Sequence, residues 1–262
     1  MPAIIMRISA DSKTTISVAI ITLNEEDRLP DCLDSVAFAD DVVVVDSGSI
    51  DKTVEIAKSF GARVFNKPWH GFGPQKQFAI EQCQSDWILI IDADERLMPE
   101  TVTEIINAVN SVSCQAYSLP RKNYFLGRWI KYAGWWPDRT IRLFKRDSAC
   151  MQSQLVHESL QVNGIIEKLA NPIIHYPFRD LSHMMSKMDK YSSAGALELH
   201  KRGESSSFLK AILRAGWAFF YNYLMRGGLM DGGPGLVIAI SDAANKFFKY
   251  AKLRELAGRD GE

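Results

Sequence analysis

The sequence predicts an α/β fold: a doubly wound, mainly parallel sheet with helices on both faces, followed by a C-terminal helical extension. Three observations carry this. The apolar runs Ile16-Ser17-Val18-Ala19-Ile20-Ile21, Val42-Val43-Val44-Val45 and Trp87-Ile88-Leu89-Ile90-Ile91 are near-continuous rather than alternating, as strands covered on both faces are. Polar stretches of helical character separate them. Each run ends in hydroxyls or carboxylates on its carboxyl side, which is where an open α/β sheet binds its ligands.

The elements follow in order. The first run is a buried strand, and Thr22-Leu23-Asn24-Glu25-Glu26 turns the chain into a helix that reaches about residue 36. The Val42 run is too short for a helix and ends in Asp46-Ser47-Gly48-Ser49. A helix over residues 52–60 follows, with Asp51 placed to cap its start and Gly61 to end it. Arg63-Val64-Phe65 reads as a short third strand, residues 74–83 as a third helix and the Trp87 run as the fourth strand. From Ser113 aromatic residues and arginines intermingle, and short strands are expected at 140–144 and around 165–169. The tail from Leu181 is helical.

Composition narrows the class. The 262 residues, 47% of them hydrophobic, suffice for one large domain with an appendage. Lys plus Arg and Asp plus Glu both number 31, so bulk charge offers no case for nucleic-acid binding. Cys32, Cys83, Cys114 and Cys150 are widely spaced and read as reduced thiols of a cytoplasmic protein. Residues 1–15 lack an apolar core of signal-peptide length, so no export is expected. No uncharged apolar run reaches the roughly 20 residues of a membrane-spanning helix. Residues 207–225 instead mix aromatic and basic residues in the manner of a helix lying in the bilayer interface. A hairpin packed on the catalytic domain or on a second subunit, making a homo-oligomer, is the competing use of that segment.

The chemistry concentrates at the strand ends. Asp92 and Asp94 are one residue apart, so in extended chain both face a common ligand. Such a pair suits Mg2+ or Mn2+, the remaining ligands being water and a phosphate. Thr22, Asn24 and Glu25 are placed to meet a base and ribose. Asp46 either accepts from a ribose or base or, with Ser49, caps the following helix. Ser47 and Gly48 open that helix, whose N-terminus favours an anion. Lys76 reaches either a diphosphate or solvent.

The motifs Thr22-Leu23-Asn24-Glu25, Val43-Val44-Val45-Asp46-Ser47-Gly48-Ser49-Ile50-Asp51-Lys52-Thr53 and Asp92-Ala93-Asp94, in that order, resemble glycosyltransferase family 2, the inverting GT-A transferases. The resemblance covers residues 16–98. It implies a nucleotide-sugar donor, with Thr22, Glu25 and Asp46 near the nucleoside and Asp94, aided by Asp92, holding the metal on the diphosphate. Trp136-Pro137-Asp138-Arg139-Thr140-Ile141-Arg142-Leu143-Phe144 and Val156-His157-Glu158 resemble the branch that builds the lipopolysaccharide core. That branch implies glucose from UDP-glucose, transferred to the inner-core heptose. A polyprenyl phosphate or another surface glycan is the alternative acceptor, and a non-catalytic sugar-nucleotide-binding protein the alternative of another class.

Inverting transfer requires a carboxylate that takes the acceptor proton and positive charge on the leaving diphosphate. Glu158 is the expected base, with Asp138 in reserve. Arg139 or Arg142 is expected to assist departure, one facing the cleft and the other solvent. His157 and His175 are either further metal ligands or ordinary hydrogen-bonded histidines. The expected organisation is a leader at 1–15, a nucleotide-sugar half at 16–112, an acceptor half at 113–180 and a membrane-associating helical tail at 181–262. A lipid-linked saccharide acceptor would bring the enzyme to the inner face of the cytoplasmic membrane as a peripheral protein.

Overall fold

The computed structural model describes residues 14–111, 114–152 and 159–259. The first half runs β1 (Ile16–Thr22), α1 (Leu29–Ser35), β2 (Asp41–Asp46), α2 (Thr53–Ser59), β3 (Arg63–Asn66), α3 (Phe72–Gln82) and β4 (Trp87–Asp92). The second half continues through β5 (Glu95–Leu97), α4 (Pro99–Ser111), β6 (Ala116–Phe125), β7 (Arg128–Trp129) and β8 (Asp138–Lys145). It closes with β9 (Ala149–Gln152), β10 (Ser159–Val162), β11 (Ile166–Lys168) and β12 (Ile173–His175). Three helices follow: α5 (Leu181–Lys201), α6 (Phe208–Phe220) and α7 (Gly232–Arg259).

The main sheet has the order β3-β2-β1-β4-β8-β6-β12-β5, with β7 and β11 beside β6; β9 and β10 form a separate pair. β3, β2, β1 and β4 are mutually parallel. Register puts Thr22 beside Asp46, and Ile21 beside Asp92, so the polar strand ends share one edge. The switch point lies beyond β4. There β8 enters antiparallel between β4 and β6, which makes the second half mixed rather than parallel.

Both faces of the parallel strands are buried, as their unbroken apolar runs require. Val18 and Ile20 of β1 pack with Leu29, Leu33 and Ile105 on one face. Ala19 of β1 packs with Val43, Ala79, Ile80 and Phe144 on the other. A third cluster joins Phe125, Ile130 and Ala133 to Met184 of α5 and Ile238 of α7, so the tail is built onto the second half. The cysteines are unpaired thiols, and burial pushes Cys83 up to about 12.

Several elements escape the sequence reading, β6 and α4 the longest of them. β6 carries Pro120, Arg121, Lys122 and Asn123 among its apolar residues, which hides its strand pattern. α4 buries Thr101, Ile105, Ala108 and Val109 at helical spacing. No helix among the described residues is long and apolar enough to cross a membrane.

Candidate active site

The ends of β1 and β2 are locked together by neutral donors. Asp46 is 1% exposed. Its Oδ1 accepts from Thr22 Oγ1 at 3.0 Å and Ser49 Oγ at 2.5 Å. Its Oδ2 accepts from the Gly48 and Ser49 amides, both at 2.8 Å. All four acceptor sites of the carboxylate are thus filled. The turn depends on Gly48, whose φ of +97° suits a residue without a Cβ. Asn24 joins the same lattice: its amide donates to Ser49 Oγ at 2.8 Å and its Oδ1 accepts from Ile50 N at 2.9 Å. Gln75 of α3 braces the floor by donating to Ser47 Oγ at 2.9 Å.

The end of β4 is charged instead. Asp92 binds Lys76 Nζ through Oδ1 and Arg142 through Oδ2, each at 2.7 Å. Arg142 also meets Glu95 Oε1 at 2.5 Å, and Glu95 is fully buried. Glu95 Oε2 accepts the Asp92 amide at 3.0 Å, which closes the turn after β4. Loss of water would raise the Asp92 carboxyl, but Arg142 and Lys76 outweigh it and hold it far below the ordinary carboxylate range. Burial would likewise lower Arg142, and the two carboxylates hold it protonated.

Asp94 is engaged differently. Its Oδ1 lies 3.6 Å from His175 Nε2, and its Oδ2 lies 3.7 Å from Arg28. His175 is oriented by Asn123, whose Oδ1 is 2.6 Å from Nδ1. With Asn123 Oδ1 accepting from Nδ1, Nε2 is the lone-pair nitrogen when the ring is neutral. Burial raises Asp94, but His175 lowers it further, leaving it below its usual value. Lys187 of α5 donates to the Pro177 carbonyl at 2.9 Å; burial lowers its amine, and the charge of Asp94 opposes this. Asp94 and His175 offer one hard oxygen and one imidazole nitrogen, a donor set that fits Mn2+ or Mg2+ completed by phosphate and water.

The acceptor side adjoins this charge. Asp138 Oδ2 takes Arg121 at 2.7 Å and Asn123 Nδ2 at 3.3 Å. Arg121 also lies 3.7 Å from Glu95. Arg179, just before α5, reaches back to Glu25 at 2.9 Å. Burial raises the Glu25 carboxyl even against that arginine.

The structure therefore gathers Thr22, Asn24, Glu25, Asp46, Ser47, Gly48, Lys76, Asp92, Asp94 and Arg142 along one edge. Two placements differ from expectation, those of Asp92 and Arg142, while Arg139 is the exposed member of its pair as expected. Asp92 is committed to two cations at 2.7 Å, whereas the partners of Asp94 stand 3.6 and 3.7 Å away. Arg142 is 5% exposed and spent on Asp92 and Glu95. Arg139 lies on the opposite side of β8 and donates to the Ser118 and Leu169 carbonyls at 3.2 and 3.0 Å. His157 and Glu158 lie outside the described residues. Sequence reasoning missed Glu95, Arg28, Arg121, Asn123, Arg179 and Lys187. Only Glu95 had a local signal, standing next to Asp94.

Comparison with known proteins follows this geometry. The sequence matches glycosyl transferase family 2 over residues 17–164. An uncharacterized glycosyltransferase of Rickettsia typhi is 35% identical across 92% of this chain and 87% of its own. The lipopolysaccharide core biosynthesis glycosyltransferase LpsC of Rhizobium meliloti is 30% identical across 92% of each chain. Among solved structures, residues 1–349 of S. aureus TarS, crystallised with UDP-GlcNAc, superpose with a TM-score of 0.50 at 15% identity, covering 95% of this chain and 93% of that one. That likeness supports the GT-A fold. With the family's domain spanning more than half of its length, and relatives of this identity matching it nearly throughout, the chain belongs to glycosyl transferase family 2 and is a glycosyltransferase.

Proposed function

We propose that the chain is a metal-dependent, inverting hexosyltransferase that moves glucose from UDP-glucose to a lipid-anchored saccharide, the inner-core heptose of lipopolysaccharide. The observation that carries the reading is Asp94 beside His175 at the end of β4, with Arg28 and Lys187 around them. This is a place where a divalent cation and a diphosphate fit together. The similarity to LpsC supports a core-saccharide acceptor. A lipid anchor on that acceptor would hold the enzyme at the inner face of the cytoplasmic membrane.

In this reading the Thr22–Asp46–Ser49 lattice shapes the wall that takes the nucleoside. Lys76, Arg28 and Lys187 supply fixed positive charge near the diphosphate. Asp94 and His175 would hold a Mg2+ or Mn2+, which would supply Lewis-acid charge on the departing group. The acceptor hydroxyl attacks the anomeric carbon from the face opposite the diphosphate. Its proton passes to Glu158, and the electron pair of the breaking C–O bond leaves with the β-phosphate. Arg121 and Asn123 hold Asp138 beside this path.

The test is transfer from UDP-glucose to a heptose-bearing acceptor, measured in parallel with UDP binding. Glu158→Gln is expected to lower kcat by about 10²–10⁴-fold, the span of a general base, and to leave UDP affinity unchanged. Full activity in Glu158→Gln with loss in Asp138→Asn would move the base to Asp138. UDP-glucose binding without transfer to any saccharide or polyprenyl phosphate would reduce the chain to a binding protein.

A further inference from the structure

The C-terminal hairpin of α6 and α7 displays a face that the rest of the fold does not cover. On α6 and the wide turn Tyr221–Met225 that continues it, Leu209, Leu213, Trp217 and Leu224 are 66%, 64%, 61% and 51% exposed. They recur at spacings of four, four and seven residues and form one stripe. Only Ala211 of α6 is buried. At the hairpin tip, the short turn Gly228–Asp231 exposes Leu229 and Met230 at 57% and 65%.

Charge identifies what covers this face. Residues 206–254 hold seven Lys and Arg against two Asp, in a chain whose overall charge is balanced. Both aspartates are turned inward. Asp231 is 1% exposed and accepts the Lys131 and Tyr132 amides at 3.2 and 2.9 Å. Asp242 accepts from Asn222 at 2.8 Å, and burial raises its carboxyl. Lys210 and Arg214 flank the stripe and lie over the Tyr250 ring of α7. A second copy docking here through the same face would oppose like charges. An anionic lipid surface offers both the apolar interior and the opposite charge.

We propose that the outer face of α6 and the hairpin tip form a docking surface for an anionic bilayer, and that this hairpin also seats the segment of residues 131–135. The same Asp231 that binds the amides of residues 131 and 132 stands beside the exposed tip. The Arg226 carbonyl takes Ala133 N at 3.0 Å. The Trp135 carbonyl takes Asn123 Nδ2 at 3.1 Å, and Asn123 orients His175. Docking therefore sets residues 131–135, and through them the Asp94–His175 end of the cleft, close to the leaflet. The siting of the acceptor rests on the function proposed above, whereas the lipid contact does not.

The experiment is co-sedimentation of the full chain with vesicles of phosphatidylcholine, with and without phosphatidylglycerol, in the absence of donor and acceptor. The wild type is expected to bind the anionic vesicles, with affinity falling as salt rises. Leu213→Asp with Trp217→Asp should weaken binding about tenfold or more, because it puts carboxylates into the buried face. Lys210→Glu with Arg214→Glu should erase the preference for phosphatidylglycerol. Retained UDP binding and an unchanged melting temperature show that the variants are folded. Wild type left in the supernatant with anionic vesicles, or Leu213→Asp/Trp217→Asp binding as well as wild type, would overturn the proposal. So would a wild-type dimer in light scattering that the same double variant makes monomeric. Because neither donor nor acceptor is present, absence of glucosyl transfer leaves this result standing.

Discussion

Asp46 and Asp92 end neighbouring strands of one parallel sheet, yet their surroundings are opposite. Asp46 is satisfied by two amides and two hydroxyls, all neutral and all within its own turn or the adjoining strand. Asp92 is satisfied by a lysine from α3 and an arginine from β8. Oriented dipoles fix a carboxylate with no net charge nearby, which shapes a wall for an uncharged heterocycle and sugar. Cations fix it within a dense field, which suits a wall that meets a polyanion. The two halves of a nucleotide diphosphate differ in just this way.

The largest expected effect comes from removing the cation at the charged wall. Arg142→Met leaves fully buried Glu95 without its 2.5 Å partner and frees one oxygen of Asp92. Breaking a buried pair costs about 3–5 kcal/mol, and the low end is expected because Arg121 remains 3.7 Å from Glu95. Arg142→Lys should not restore the loss, since the shorter lysine side chain holds its ammonium back from the position that Nη2 occupies between both carboxylates. Urea denaturation checks both. Stability within experimental error of wild type in Arg142→Met would mean that this wall is held by something other than its ion pairs.

A smaller effect separates the walls by their metal response. Asp94→Asn is expected to lower kcat about 10²–10³-fold and to abolish any Mn2+ dependence of UDP-glucose binding. Asp46→Asn replaces an oxygen acceptor with an amide that opposes the Gly48 and Ser49 N–H groups. It should weaken UDP binding about tenfold, or ~1.4 kcal/mol, equally with and without metal. Calorimetric titration of both variants decides the matter. A metal-dependent defect in Asp46→Asn would merge the two walls into one site.

Sequence and structure agree best where one strand has one reading. The Val42–Val45 run permits little else than a strand covered on both faces, and its polar end then falls beside Thr22 by register. The same logic brings out Asp92 and Asp94 but not their different fates, because Lys76 and Arg142 reach Asp92 from separate elements. Arg28 and His175 converge on Asp94 from the β1–α1 turn and β12, and no spacing in the chain encodes that meeting. β6 stays hidden because its middle is polar where Arg121 and Asn123 meet Asp138 and His175. Arg142 is misread for a related reason. Alternation along β8 tells which arginine turns inward, but not that carboxylates already await it.

Asp41, at the opposite end of β2 from Asp46, supplies the control. It takes Arg63 through two bonds at 2.9 and 2.8 Å and Ser17 Oγ at 2.9 Å, away from the cleft. Arg63 pulls its carboxyl below the ordinary value, burial opposes this, and Ser17 adds to the lowering. A depressed carboxyl contributes its full stability above the unfolded value of about 4 and loses it as pH falls through the folded value. Asp41→Asn should therefore cost about 1 kcal/mol at pH 7, a modest figure because Arg63 is 38% exposed and solvent screens the pair. The gap between variant and wild type should narrow below about pH 4, as the wild-type carboxyl takes up its proton. UDP affinity should not change, since this end of β2 meets no part of the proposed site. Thermal melts at pH 7 and pH 3, with UDP titration at pH 7, measure all three. If Asp41→Asn weakens UDP binding as much as Asp46→Asn does, then the carboxylates of β2 act through sheet stability alone, and the distinction between the walls fails.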